Sequence, residues 1–246
     1  MDITTSTVLI TGGASGIGWA LAERFLQAGS QVLICGRRAD KLQEIQEKYP
    51  QVHTRQCDVG QASERVVLLD WVRREFPQVN VLINNAGIQR RVQLVSSQED
   101  WSASQQEIAI NLEAPLHLST LFIPHFLQQP KAAIINVTSG LAFVPMAFAP
   151  VYCATKAALH SFTLSLRQQL AGTPIEVIEL VPPAVNTDLG GSGLHNFGVP
   201  VGDFADAMMQ GLEAGALEIG YGTSEKSRTA SRKELDEIFT RMNNRS

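Results

Sequence analysis

The stretch "APVYCATKAALHSF" (149–162) places a tyrosine and a lysine, Tyr152 and Lys156, four residues apart in a run that is otherwise mostly small or apolar. On a helix such residues lie one turn apart on the same face. A free phenol has a pKa of about 10 and is a poor base at neutral pH until a neighbouring cation stabilises the phenolate. Lys156 can be that cation. Ser139, in "VTSG" (137–140) at the end of an apolar run, adds a hydroxyl able to donate to a carbonyl oxygen. Taken singly, each residue has an ordinary alternative: a turn serine, a half-buried packing tyrosine, a lysine on a solvated helix face.

A second group points to a phosphate-bearing ligand. "TGGASGIG" (11–18) follows the first apolar run and opens a helical pattern, so the pyrophosphate of a dinucleotide would meet helix N-terminal N–H groups there. Gly12, Ser15, Gly16, Ile17 and Gly18 are the candidate contacts, spaced as T-G-x-x-x-G-x-G. At the end of the second run, "ICGRR" puts Gly36 where an acid would bind the ribose of NAD, followed by Arg37 and Arg38, whose forked donors suit the 2′-phosphate of NADP. NADP is therefore expected over NAD, the alternative being two solvated arginines. Asp58 ends the third run and can either accept from the adenine amino group or cap the next helix.

These residues need a scaffold, and the chain supplies a repeating one. Apolar β-rich runs at 7–11, 31–35, 52–57, 80–84, 132–138 and 175–180, with 217–222 as a further candidate, alternate with helical patterns at 17–28, 39–48, 61–75, 99–128, 150–171 and 203–214. Pro115 is expected to divide the fourth helix. The alternation predicts an α/β fold: one Rossmann-like, doubly wound parallel sheet of about seven strands with helices on both faces, spanning 1–246 as a single domain. Continuous apolar character in the first, second and fifth runs indicates strands covered on both sides. The stretch 181–202 has no periodicity and reads with the following helix (188–214) as a substrate lid. The tail 225–246 carries Leu235, Ile238, Phe239 and Met242 at helical spacing, to dock on its own domain or on another subunit.

Composition narrows the classes. Twenty basic and twenty-four acidic residues give a net charge of -4 without a basic stripe, so nucleic acid is not an expected partner. No apolar run approaches the roughly 20 residues that span a bilayer, and the N-terminus lacks a basic flank and a small-residue cleavage site; a cytoplasmic protein is expected. Cys35, Cys57 and Cys153 are widely spaced and read as buried thiols. Scattered histidines predict no metal site.

Five ordered motifs, the glycine loop with "NNAG" (84–87), "INL" (110–112), "VTSG" (137–140) and "YCATK" (152–156), resemble the single-domain short-chain dehydrogenase/reductase family across nearly the whole chain. The later elements "PPAVNTDLGGSGLH" and "LEIGYGTSEK" resemble its bacterial DltE-type oxidoreductases. The resemblance implies Tyr152 as general acid/base, Lys156 as its activator and nicotinamide-ribose ligand, Ser139 as the substrate-orienting hydroxyl and Asn111 as support of a proton-relay water. It also implies that Asn84, Ala86 and Gly87 lie along the adenosine, with bracing of the sheet as the alternative for Asn84, and that Val185 and Thr187 meet the carboxamide and pyrophosphate. Pro183 replaces the family's usual glycine, removing an N–H beside the nicotinamide.

The resemblance further implies an NADP(H)-dependent oxidoreductase acting on a carbonyl or secondary alcohol, as a homodimer or homotetramer. An NADP-binding sensor or a scaffold protein of cell-envelope modification is the alternative; the first would have no need of Tyr152 and Lys156. Gln89, Arg90 and Arg91, with Leu141, Phe143, Phe148, Leu194, His195 and Phe197, are expected to line a mostly apolar substrate pocket. Arg90 or Arg91 would hold an anionic group, or only make surface salt bridges.

Overall fold

The structure is a computed structural model that describes residues 1–95 and 100–244. The run TVLIT has no polar face to give to water, and β1 (Thr7–Thr11) is buried throughout. It lies inside a seven-stranded parallel sheet of order β3-β2-β1-β4-β5-β6-β7. The other strands are β2 (Gln31–Gly36), β3 (His53–Gln56), β4 (Val81–Asn84), β5 (Ala132–Val137), β6 (Ile175–Val181) and β7 (Glu218–Gly220). Alternate residues of one strand feed opposite faces. Val8 and Ile10 join a core with Phe25 and Phe204, whereas Leu9 joins another with Trp71, Phe122 and Phe126. Both faces are therefore covered, as the unbroken apolar runs require.

The helices are α1 (Gly16–Ala28), α2 (Ala39–Lys48), α3 (Ala62–Glu75), α4 (Trp101–Ile108), α5 (Ala114–Phe126), α6 (Pro150–Gln169), α7 (Val201–Glu213), α8 (Thr223–Thr229) and α9 (Arg232–Asn243). The expected helix at 99–128 corrects in an instructive way; residue 99 itself lies outside the described residues. Pro115 does not divide it. The chain stays helical through a π-helical segment, Ala109–Glu113, just ahead of the proline, which falls in the first turn of α5. A wide turn there accommodates a residue that cannot donate an N–H.

Chain order reverses across β1 and β4, which is where doubly wound folds open a ligand crevice at the carboxyl ends of their strands. The loop 182–200 crosses this edge. Its ends are tied together: Asn186 N–H donates to Val199 O at 2.9 Å and Val199 N–H to Ala184 O at 3.0 Å. The tail folds back onto its own chain, with Asn243 Oδ1 accepting from Ala147 N–H at 2.7 Å and Asn243 Nδ2 donating to Pro145 O at 3.1 Å. Ser231 and Glu234 form a capping box at the start of α9. Residues 245 and 246 of the expected tail lie outside the described residues. All three cysteines are buried free thiols, and no helix among the described residues is long and apolar enough to cross a membrane.

Candidate active site

A cavity of about 1520 Å³ runs along the carboxyl edge of the sheet. Gly12, Ser15, Gly16, Ile17, Arg37, Arg38, Asp58, Ala86, Gly87, Ser139, Tyr152, Lys156, Val185 and Thr187 all border it. Gly18, Asn84 and Asn111 do not.

The glycine loop is shaped by close approach. Gly12 has φ 64°, and a Cβ there would come within 2.9 Å of Ala86 Cα; only glycine accepts both. Thr11 and Asn85, which the sequence reading did not single out, fix this approach. Thr11 Oγ1 accepts from the N–H groups of Asn85 and Ala86 at 3.0 and 3.1 Å, and Asn85 Nδ2 donates to Thr11 O at 2.9 Å. A Cβ on Gly18 would strike Asn85 Nδ2 and Gly12 O, each at 2.4 Å, so Gly18 serves packing of α1 against the loop. Asn84 takes the bracing role: it is buried, and its Nδ2 donates to Asn136 Oδ1 at 2.8 Å and Ser119 Oγ at 3.3 Å.

Ser15 occupies the N-cap of α1, but its hydroxyl bonds no N–H of the first turn, leaving those donors without a side-chain cap. Its hydroxyl instead accepts from Arg38 Nη2 at 2.7 Å. A Cβ on Gly36 would meet nothing nearer than Ala14 Cβ at 3.9 Å, so the ribose end is open. Asp58 Oδ1 accepts from Gly60 N–H at 3.0 Å, while Gln61 holds the N-cap of α3. Asp58 thus shapes the turn and does not cap the helix.

At the other end, α6 carries Tyr152 and Lys156, both buried, and the turn after β5 carries Ser139. Ser139 Oγ accepts from Leu141 N–H at 3.1 Å. Burial pushes the Tyr152 phenol above its usual range, with a hydrogen bond from Ser139 pulling the other way. Lys156 Nζ lies 5.7 Å from the centre of the Tyr152 ring and donates to Val137 O at 2.8 Å. Burial brings its ammonium down to about 8. Desolvation moves both groups toward their neutral forms.

Asn111 lies in the π-helical segment and is buried. Its side chain pairs both backbone polar groups of one residue, Oδ1 accepting from Ile88 N–H at 2.9 Å and Nδ2 donating to Ile88 O at 2.8 Å. One turn earlier, the buried Glu107 accepts from Arg90 N–H at 3.2 Å, and burial raises its carboxyl pKa. Together they hold the strand-end segment whose Gly87, Gln89 and Arg91 border the cavity.

Of the expected pocket residues, Gln89, Arg91, Leu141, Phe148, His195 and Phe197 border the cavity. Arg90, Phe143 and Leu194 do not. Arg90 Nη2 donates to Gln106 Oε1 at 3.0 Å, and Phe143 packs on His160 instead. Arg91 lies over the Phe148 ring, 4.8 Å from its centre. Pro182 and Pro183 border the cavity as well, and Pro182 O accepts from Gly140 N–H at 2.9 Å. From α9, Ile238, Arg241 and Met242 complete the wall; the sequence showed the stripe that holds Ile238 and Met242 but not that these two face this cavity.

The family model described as short chain dehydrogenase matches residues 6–195. The chain is 47% identical over 248 residues to the uncharacterized oxidoreductase DltE of Bacillus subtilis (strain 168), covering 99% of this chain and 98% of that one. It is 31% identical over 192 residues to the NADP-dependent 3-hydroxy acid dehydrogenase YdfG of Escherichia coli O6:H1 (strain CFT073), covering 77% and 75%. A short chain dehydrogenase from Burkholderia cenocepacia J2315, solved in complex with NADP, matches with a TM-score of 0.85 at 25% identity, covering 97% and 99%. The parallel sheet, the glycine loop at its switch point and these matches lead to one conclusion: the chain belongs to the short chain dehydrogenase family of oxidoreductases.

Proposed function

We propose that this chain is an NADP(H)-preferring oxidoreductase acting on a carbonyl or secondary alcohol, with Tyr152 as its general acid/base. The observation that carries this reading is the convergence of Tyr152, Lys156 and Ser139 on the same cavity that receives the uncapped first turn of α1.

The residues fit such a cofactor. Backbone donors from Gly12 to Gly16 and Ile17 would hold the pyrophosphate, Arg38 and Ser15 with Arg37 the 2′-phosphate, and Asp58 the adenine edge. Ala86 and Gly87 would give the adenosine room, Lys156 would bond the nicotinamide ribose, and Val185 and Thr187 would meet the carboxamide and pyrophosphate. When bound, the cofactor supplies or accepts the hydride. The NADP-bound relative from Burkholderia cenocepacia and the NADP dependence named for the Escherichia coli enzyme support the same preference.

A protonated Tyr152 phenol can donate its proton to a substrate oxygen as a carbonyl is reduced, and take it back in the reverse direction. Ser139 donates to the same oxygen and fixes it between the two hydroxyls. Asn111 positions the Ile88 peptide beside them. Arg91 and Arg241 border the cavity, and neither takes part in an ion pair among the described residues. A partly apolar substrate with an acidic group suits that wall, and the 3-hydroxy acid activity named for the Escherichia coli relative agrees. The loop 182–200 and α7 act as its cover within a single domain, and assembly as a homodimer or homotetramer in the cytoplasm completes the reading.

The test is titration of NADPH and NADH into wild type and Tyr152→Phe, then turnover of carbonyl compounds with and without acidic groups. NADPH binding by both proteins with turnover in wild type alone is expected. Binding without turnover by either would favour the sensor, and tighter NADH binding would overturn the cofactor preference. Light scattering reads the subunit number.

A further inference from the structure

A buried polar network lies one turn beyond Lys156. His160 follows it by four residues on α6, so Tyr152, Lys156 and His160 share one helix face. Its Nδ1 lies 2.8 and 3.0 Å from the two carboxylate oxygens of Glu179, a residue of β6 with 0% exposure. The same carboxylate accepts from Thr138 Oγ1 at 2.6 Å, and Thr138 immediately precedes Ser139 and borders the cavity. On its other side the His160 ring packs against Phe143, with ring centres 4.6 Å apart. Phe143 ends the 3₁₀ turn Gly140–Ala142 that Ser139 opens. His160 therefore reaches both flanks of the turn that carries Ser139: one through Glu179 and Thr138, the other by direct contact.

A carboxylate on a fully buried strand needs a cation or several donors. When protonated, His160 supplies the cation. The Glu179 hydrogen bond raises its proton affinity, burial opposes, Glu218 on β7 adds to the rise and Arg167 on α6 subtracts. Arg167 is itself paired with Glu218 at 2.8 Å, and Arg228 of α8 meets the same carboxylate at 3.2 Å.

We propose that protonated His160 is a positioning residue, holding the Ser139 turn in register with Tyr152 and Lys156 through Glu179–Thr138 on one flank and Phe143 on the other. This rests on the reading of Ser139 as the substrate-orienting hydroxyl. Because the folded protein raises the proton affinity of His160, the clamp is complete at low pH and is lost as pH rises through the folded-state value. Above it, Glu179 keeps only neutral donors and the turn loosens.

The test has two arms. In the first, histidine-ring, threonine-methyl and phenylalanine-ring NMR signals are followed from about pH 5 to 9, spanning the imidazole range. The Thr138 and Phe143 signals should titrate with the midpoint of His160. In Glu179→Gln that midpoint should fall and the Thr138 signal should stop following. In the second, on a carbonyl substrate that wild type turns over, His160→Gln should lower kcat by about tenfold or more, the loss expected from a misplaced orienting group. Its NADPH affinity should be unchanged, and the pH dependence contributed by His160 should disappear. His160 titrating while Thr138 and Phe143 stay still overturns the proposal, as does a folded His160→Gln with wild-type kcat and pH profile. Should His160→Gln fail to fold, the wild-type and Glu179→Gln titrations decide. Absence of turnover in wild type would count against the proposed function alone, and the spectroscopic arm would still decide this one.

Discussion

Arg38 donates from Nη2 to Ser15 Oγ at 2.7 Å, joining the end of β2 to the N-cap of α1. The guanidinium is thereby held at the mouth of the open ribose end beside Gly36 rather than left to sample solvent. Arg38→Ala should weaken NADPH binding by about ten- to a hundredfold, the ~1.5–3 kcal/mol of a hydrogen bond to a charged group, and leave NADH binding within about twofold. Calorimetric titration with both cofactors reads the difference; equal losses would mean that Arg38 only orders the loop.

Lys156 carries a charge that burial holds down, to about 8. Between that value and its ordinary 10.5 the unfolded chain binds more protons at this residue than the folded one, so its contribution to stability rises with pH across this window and is least favourable below it. Lys156→Met should therefore stabilise the protein at pH 7 by about 1–2 kcal/mol. That is less than the ~3 kcal/mol implied at ~1.4 kcal/mol per unit, because Val137 O loses its donor. The gain should shrink toward pH 10. Urea midpoints at both pH values check this.

Asn111→Ala strips the side-chain partners from both Ile88 N–H and Ile88 O. Two polar groups left unsatisfied in a mostly buried setting predict a loss of about 2–4 kcal/mol, read as a lower urea midpoint at unchanged slope. Asn111→Asp keeps the acceptor and loses the donor, and should fall between.

Arg91 is spread over the Phe148 ring at the cavity wall. Arg91→Ala should raise KM for acidic carbonyl compounds about tenfold, a typical charge-assisted contact, with little change for neutral ones. Equal effects on both would point to lost packing on Phe148.

The sheet and the helices that flank it were legible because their signals are local. A short, unbroken, β-branched apolar run such as TVLIT or AAIINV reads as a strand covered on both sides, and both are. What escaped depends on contacts across the chain. The seven residues of α8 (TSEKSRT) have no apolar stripe to read, and their Ser224 hydroxyl bonds Val181 O on β6. Within the motifs themselves, Asn84 and Asn85 are neighbours of one residue type, and only the strand's alternation decides that the first braces the sheet and the second borders the cavity. Glu179 reads as a polar position of β6, yet it is fully buried because His160, nineteen residues earlier in the chain, meets it. Burial was hidden for a related reason: spacing shows that Lys156 is near Tyr152 but not that both are shut away from water.

The pairing of Val185 with Val199 has an evolutionary consequence. Because the bridge fixes where the 186–198 excursion leaves and rejoins the body, the entropy of closing it grows only with the logarithm of its length, about 0.6 kcal/mol for each doubling. Insertions, deletions or replacement between Thr187 and Val199 leave β6 and α7 where they are. This part of the cavity wall can thus drift from one descendant to the next while Tyr152, Lys156 and Ser139 are inherited in place.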